Sequence, residues 1–144
     1  MVNEIIDGIC RALNGEFSEE YHIYTEKIEQ RFTRPCFFVE IKESSMELFR
    51  GERYFMDCTA LVTYYPPYKG KNEDMAQVSQ RVSLCTQIID VDGTPLRCSE
   101  CRHTMDKESM TSELKFGFFV RKRDNKEDAE LMQEYTLTGL GKEE

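Results

Sequence analysis

The chain has 144 residues, a formal net charge of −8 and an apolar fraction of 40%. That length suits one domain with a core of its own, and no run of about 18 apolar residues exists to cross a membrane as a helix. The acidic balance argues against a general nucleic-acid binder, which needs a basic footprint to displace counterions from phosphates.

The opening segment, MVNEIIDGICRALNGEF, is acidic and lacks the basic flank of a secretory signal. The mature protein is therefore expected to begin near Met1 and to stay in the cytoplasm, where its six cysteines would be reduced thiols. Val2, Ile5, Ile6, Ile9, Cys10 and Leu13 recur at helical spacing, which predicts a helix with one apolar stripe, ended by Gly15 in a left-handed conformation. A first strand is expected around 22–26. Cys36–Ile41 (CFFVEI) is a second, and Lys42–Gly51 is expected as a polar loop.

Arg53–Tyr65 alternates strictly. Tyr54, Met56, Cys58, Ala60, Val62 and Tyr64 share one face, which should lie under the helices. Pro66-Pro67 cannot continue a ladder and should open a loop running to Asp74. A second helix is expected from Asn72, with Met75, Val78, Val82, Cys85, Ile88 and Ile89 inward and Asp92-Gly93 as its end. Strands over 96–105 and 113–123 follow, then a short helix over 128–135. The expected fold class is thus α+β: a mostly antiparallel sheet of four to five strands, helices on one face, in the order α-β-β-β-α-β-β-α. Residues 1–136 would form the single domain and 137–144 a flexible tail.

Few constellations carry chemistry. Cys98 and Cys101 form a CxxC with His103 two residues on, which offers three candidate ligands where zinc takes four. A regular strand would also send residues 98 and 101 to opposite faces. Incidental core thiols, a metal site and a redox pair all remain readings of this stretch. Cys10, Cys36, Cys58 and Cys85 sit in apolar patterns and read as small core residues. No nucleophile–base motif, calcium loop or phosphate loop is present, so no catalytic residue is assigned and no enzyme is expected.

Two features suggest contact surfaces instead. Arg121-Lys122-Arg123 is a basic strand end, either a solvated edge that discourages aggregation or a patch for an acidic neighbour. Tyr64, Tyr65, Pro66, Pro67 and Tyr68 form an aromatic–proline corner, followed by Lys69 and Lys71, that reads either as packing or as an interface anchor.

The succession IYTEKIEQRFTRPCFFVEI, RYFMDCTALVTYYPP, a polar loop opening a helix at Asn72-Glu73, ELKFGFFV and DAELMQEY resembles the tail terminator proteins of tailed phages and prophages of Gram-positive bacteria. It covers the chain from about Val2 to Tyr135; the Cys98–Cys101 pair is not part of that pattern. The resemblance implies a small α+β virion protein, assembled in the bacterial cytoplasm, that caps the tail tube as a ring, usually of six. Its implied partners are copies of itself, the tail tube protein and a head-completion or neck protein. DNA would pass through the ring without specific binding. No cofactor and no membrane are implied. Subunit or partner contacts are expected at Arg121, Lys122, Arg123, Tyr65, Tyr68, Lys69 and Lys71. Another head–tail connector or minor tail protein, or a small Cys/His metal-binding protein, is the alternative.

Overall fold

The computed structural model describes residues 2–17, 19–25, 33–67, 72–122 and 135–140. Among them the order is α1 (Val2–Glu16), β1 (His22–Tyr24), β2 (Cys36–Arg50), β3 (Arg53–Tyr65), α2 (Asn72–Cys85), β4 (Ile88–Val91), β5 (Thr94–Met105), β6 (Met110–Lys122) and β7 (Tyr135–Leu140). The strands join in one sheet of order β1-β2-β3-β6-β5-β4, with β7 also on β6. All pairings are antiparallel except β1 with β2. The class is α+β, as the sequence implies.

Both helices press on one face. The apolar stripe of α1 buries Ile5, Ile9 and Leu13, and α2 buries Met75, Val78 and Val82. They meet Met56, Cys58, Ala60, Val62 and Tyr64 of β3 and Leu114, Phe116, Phe118 and Val120 of β6 in one cluster. Alternation along both strands puts these residues on the same side. Phe17 is buried four residues after Leu13, and its amide donates to the Leu13 carbonyl at 2.8 Å. The apolar stripe thus carries the helix past Gly15, which is an interior helical residue and not a left-handed terminus. A ring cluster follows, with Phe17 to Phe37 at 4.8 Å and Phe37 to Tyr64 at 5.1 Å between centroids. Arg81 of α2 locks the helix pair, donating from Nε to Glu16 at 2.8 Å and lying 4.3 Å over the Phe17 ring.

The structure corrects the sequence reading in four places. Lys42–Arg50 is not a loop but the continuation of β2, paired with β3 down to Arg50↔Arg53. Its exposure on both faces hid it, because alternation is visible only where one face is buried. Gly51, at φ 59°, makes the two-residue turn. Ile88 and Ile89 do not belong to α2, which stops at Cys85. They start β4, with Ile89 and Val91 buried, Ile88 and Asp90 exposed. Asp92-Gly93, both at positive φ, is the hairpin turn between β4 and β5 and not a helix end. β6 starts at Met110 instead of 113, after a tight turn closed by the Asp106 amide on the Ser109 carbonyl at 2.7 Å.

The fourth correction is at the C-terminus. Leu137 and Leu140, assigned to the flexible tail of 137–144, lie in β7 opposite Val120 and Phe118. Of the helix expected over 128–135, Tyr135 opens this strand and the rest lies outside the described residues. The cause lies in β5, which pairs with β6 only as far as Cys98↔Phe116 and then turns to β4. The edge of β6 beyond Phe116 is left free, and β7 takes it. With β4 and β7 added, the sheet has seven strands among the described residues instead of four to five.

Candidate assembly surface

The antiparallel register of β2, β3 and β6 produces a feature that no stretch of sequence displays. Arg50 pairs with Arg53, and Arg53 pairs with Arg121. Three arginines from three adjacent strands therefore stand in one row across the end of the sheet, on the face away from the helices. Like charges directly opposite are unfavourable in a sheet. No ion pair joins any of the three to a described residue. Aromatic rings hold the middle member, with the Arg53 guanidinium 4.7 Å over Phe119 and 5.8 Å over Phe49. Phe119 stacks edge-on with both Phe49 and Phe55. The Arg53 Nε is buried with no hydrogen-bond partner among the described residues.

Arg121, expected as a contact residue, is exposed in this row. Lys122 follows as the last residue of β6, opposite Tyr135. Tyr65 ends β3, packed edge-on against Phe38 at 5.6 Å and covered by the Arg34 guanidinium at 5.4 Å. The adjacent Tyr64 is buried, and its hydroxyl donates to Asp74 Oδ2 at 2.8 Å, tying the strand end to the first turn of α2. Tyr68, Lys69, Lys71 and Arg123 lie outside the described residues. The described members of the two expected contact groups, Arg121 and Lys122 on one side and Tyr65 on the other, are not brought together. Arg53↔Arg121 marks one end of β3 and Tyr64↔Met110 the other, about 37 Å apart at strand rise. Arg50, Arg53, Phe49, Phe55 and Phe119 were not singled out from the sequence, because their juxtaposition exists only in the register.

The cysteine stretch is organised by a bulge. β5 slips between Cys98 and Glu100, so Cys98 faces Phe116 and Cys101 faces Leu114, both core residues. Both thiols therefore lie on one face, which a regular strand would not allow. Their partners differ, however. Cys98 donates to the Glu100 carbonyl at 3.2 Å, while Cys101 lies 3.4 Å from Ser83 Oγ. The His103 ring is held on both sides, Nε2 at 2.6 Å from Ser83 Oγ and Nδ1 at 2.7 Å from Ser112 Oγ. Among the described residues, no group of three or more His, Cys, Asp or Glu is arranged to hold a metal ion. Burial pushes the Cys98 and Cys101 thiols up and the His103 imidazole down, each toward its neutral form. Neutral thiols are poor nucleophiles and poor ligands.

Burial acts more strongly on three other thiols. It raises Cys36 and Cys58 from 9.0 to about 11 and Cys85 to about 12. A group that holds its proton more tightly when folded stabilises the fold fully below its unfolded pKa, and that stability is lost as pH rises through the folded value. Urea denaturation is therefore expected to give constant stability from pH 7 to 8.5. From about pH 9 to 11 it should fall by about 1.4 kcal/mol per pH unit for each of Cys36, Cys58 and Cys85. Replacing Cys58 by alanine should make that fall shallower, and an unchanged slope would contradict the assignment.

Among the described residues the α+β fold thus carries long aromatic-rich strands and an arginine row that no described carboxylate pairs. The chain belongs to the phage tail terminator protein family, whose model matches residues 4–128. The family is structural and non-enzymatic, and its members are components of the phage tail. No protein of curated function matches the chain. Among the solved structures that match, one, of a protein with no stated function, aligns over 83% of this chain and 97% of its own at 11% identity, with a TM-score of 0.39.

Proposed function

We propose that this protein closes the growing end of the phage tail tube as a ring of identical subunits, halting polymerisation and offering its other rim to the head-completion or neck protein. The observation that carries this reading is the family match over residues 4–128. The sheet supports it physically. Its two contact regions, the arginine row and the Tyr65 corner, sit at opposite ends of β3, which suits a subunit that meets different neighbours at each end. A ring closes through heterologous contacts between unlike patches of the same chain. The net charge of −8 suits a ring through which DNA slides without adhering.

In this reading the basic strand end grips acidic residues of the next subunit. Converting Arg121, Lys122 and Arg123 together to glutamate is expected to weaken ring formation at least tenfold in sedimentation velocity with tail tubes present. An assembled species that survives the reversal at low protein concentration and high salt would remove this interface.

A further inference from the structure

A strand at the rim of a sheet leaves a row of backbone N–H and C=O groups without partners, a template for one more strand. The two longest such rows among the described residues lie at opposite sides of the same sheet. β1 covers β2 only at Cys36–Phe38, so from Val39 to Arg50 β2 pairs with β3 alone. On the far side, β4 covers β5 only as far as Arg97, and the Cys98 amide donates to the Gln87 carbonyl at 2.8 Å. β4 itself turns in under α1, where Gly8 lies against the Asp90 carbonyl. From Glu100 to Met105 β5 pairs with β6 alone. β7 stands end to end with β5 on the same side of β6, taking Phe118–Lys122 where β5 takes Met110–Phe116. The far rim is thus a composite that runs the length of β6, as β2 runs along the near side.

Strand direction makes the two rims complementary. β2, β3, β6 and β5 are antiparallel in turn, and β7 runs with β5. The two rims therefore run in opposite directions. A copy related by rotation about an axis along the strands keeps its strand directions and keeps its helices on the same face. Its β2 then meets the β5–β7 rim antiparallel, and the alternation continues unbroken from one subunit to the next. Pairing of like rims, β2 on β2, would instead close a dimer and leave both far rims bare. The side chains agree with the unlike join. Carried across the sheet by the strand registers, Cys101 is level with Leu114, Ala60 and Ile41, and Arg102 with Glu113, Leu61 and Glu40. Joined at that level, Cys101 and Ile41, both half-buried against the core, meet on the helix side. Arg102 and Glu40, both exposed, meet on the other side as a pair of opposite charge.

We propose that the β2 rim of one copy pairs antiparallel with the β5–β7 rim of the next, so that the sheets run on from subunit to subunit. This rests on the ring reading and assigns its subunit contact to backbone pairing between unlike rims. Main-chain hydrogen bonds supply the attachment, and the side chains facing each other across the join set its register.

Hydrogen–deuterium exchange of the full chain, free and assembled at tail-tube ends, reads the pairing directly. Peptides spanning 39–50 and 99–105 should both slow by about tenfold or more at every second amide, because alternate amides of a rim strand point outward. Assembled protein in which either peptide exchanges as it does in the free chain would overturn the pairing and leave the ring standing. Arg102→Glu and Glu40→Arg, made in separate chains and together, distinguish a second copy from any other strand. Each alone should weaken association about threefold in sedimentation velocity, and the chain carrying both should recover it. Single variants that assemble as wild type, or a double variant that stays weak, would overturn the second copy as occupant. Wild type that remains monomeric even at tail-tube ends would remove the ring reading and this contact together.

Discussion

Replacing Phe37 by alanine should lower the unfolding free energy by about 3–5 kcal/mol, the usual cost of deleting a buried phenylalanine. Phe37 has no exposed surface, and it sits where β2, α1 and β3 converge. Its ring lies 4.8 Å from Phe17, 5.1 Å from Tyr64 and 5.9 Å from Tyr21. Three aromatic partners cannot collapse together into the vacated volume without leaving their own contacts, so the upper half of the range is expected. A domain of this size has only about 5–15 kcal/mol in total. Urea unfolding followed by tyrosine fluorescence measures the loss directly. A cost below about 1.5 kcal/mol would mean that the ring cluster is not the anchor of α1.

The second large effect has the opposite sign to intuition. Glycine to alanine inside a helix ordinarily stabilises by about 0.8–1.0 kcal/mol. At Gly8 the added methyl would stand 2.7 Å from the backbone carbonyl oxygen of Asp90 and 3.4 Å from Ile89 Cδ1. A backbone oxygen in a paired strand cannot swing aside as a side chain can, so α1 must lift from β4. Gly8→Ala is therefore expected to destabilise by about 1–3 kcal/mol, as overpacking does. Gly15 supplies the internal control. It lies in the same helix with nothing within 4 Å of its would-be methyl, and Gly15→Ala should gain the ordinary increment. Parallel melts of the two variants would contradict this packing if both moved the same way.

What the sequence disclosed and what it withheld follow from the same physics. The inward faces of β3 and β6 were legible residue by residue, because burial on one side imprints a period of two. The stripe of α1 was legible for the analogous reason. The outer half of β2 was not, since Met46 alone among Lys42–Arg50 is even half-buried and the side chains there carry no period of two. β4 was concealed by adjacency: Ile88 and Ile89 extend the apolar spacing of α2, and only Asp92-Gly93, read as a helix end, carried the hairpin signal. β7 was beyond reach, because its place exists only where β5 leaves β6 at a bulge.

The contact surface divides the same way. Arg121 was visible as part of a basic run. Its alignment with Arg53 and Arg50 depends on two strand registers and a two-residue turn, none of which is written locally. The CxxC stretch was legible as a motif, yet the bulge that puts both thiols on one face appears only in the pairing of β5 with β6. Family membership was legible through the order of strands, turns and helices over nearly the whole chain, and the family match over residues 4–128 bears it out.

Termination of tube growth by this chain, the role proposed for it, can be measured directly. Tail tubes assembled from tube protein on their initiator, with and without this protein, can be measured for length by negative-stain electron microscopy. A narrow length distribution and a ring of density at one end are expected when the protein is present. Tubes that keep lengthening to the same broad distribution, with bare ends at saturating protein, would contradict it.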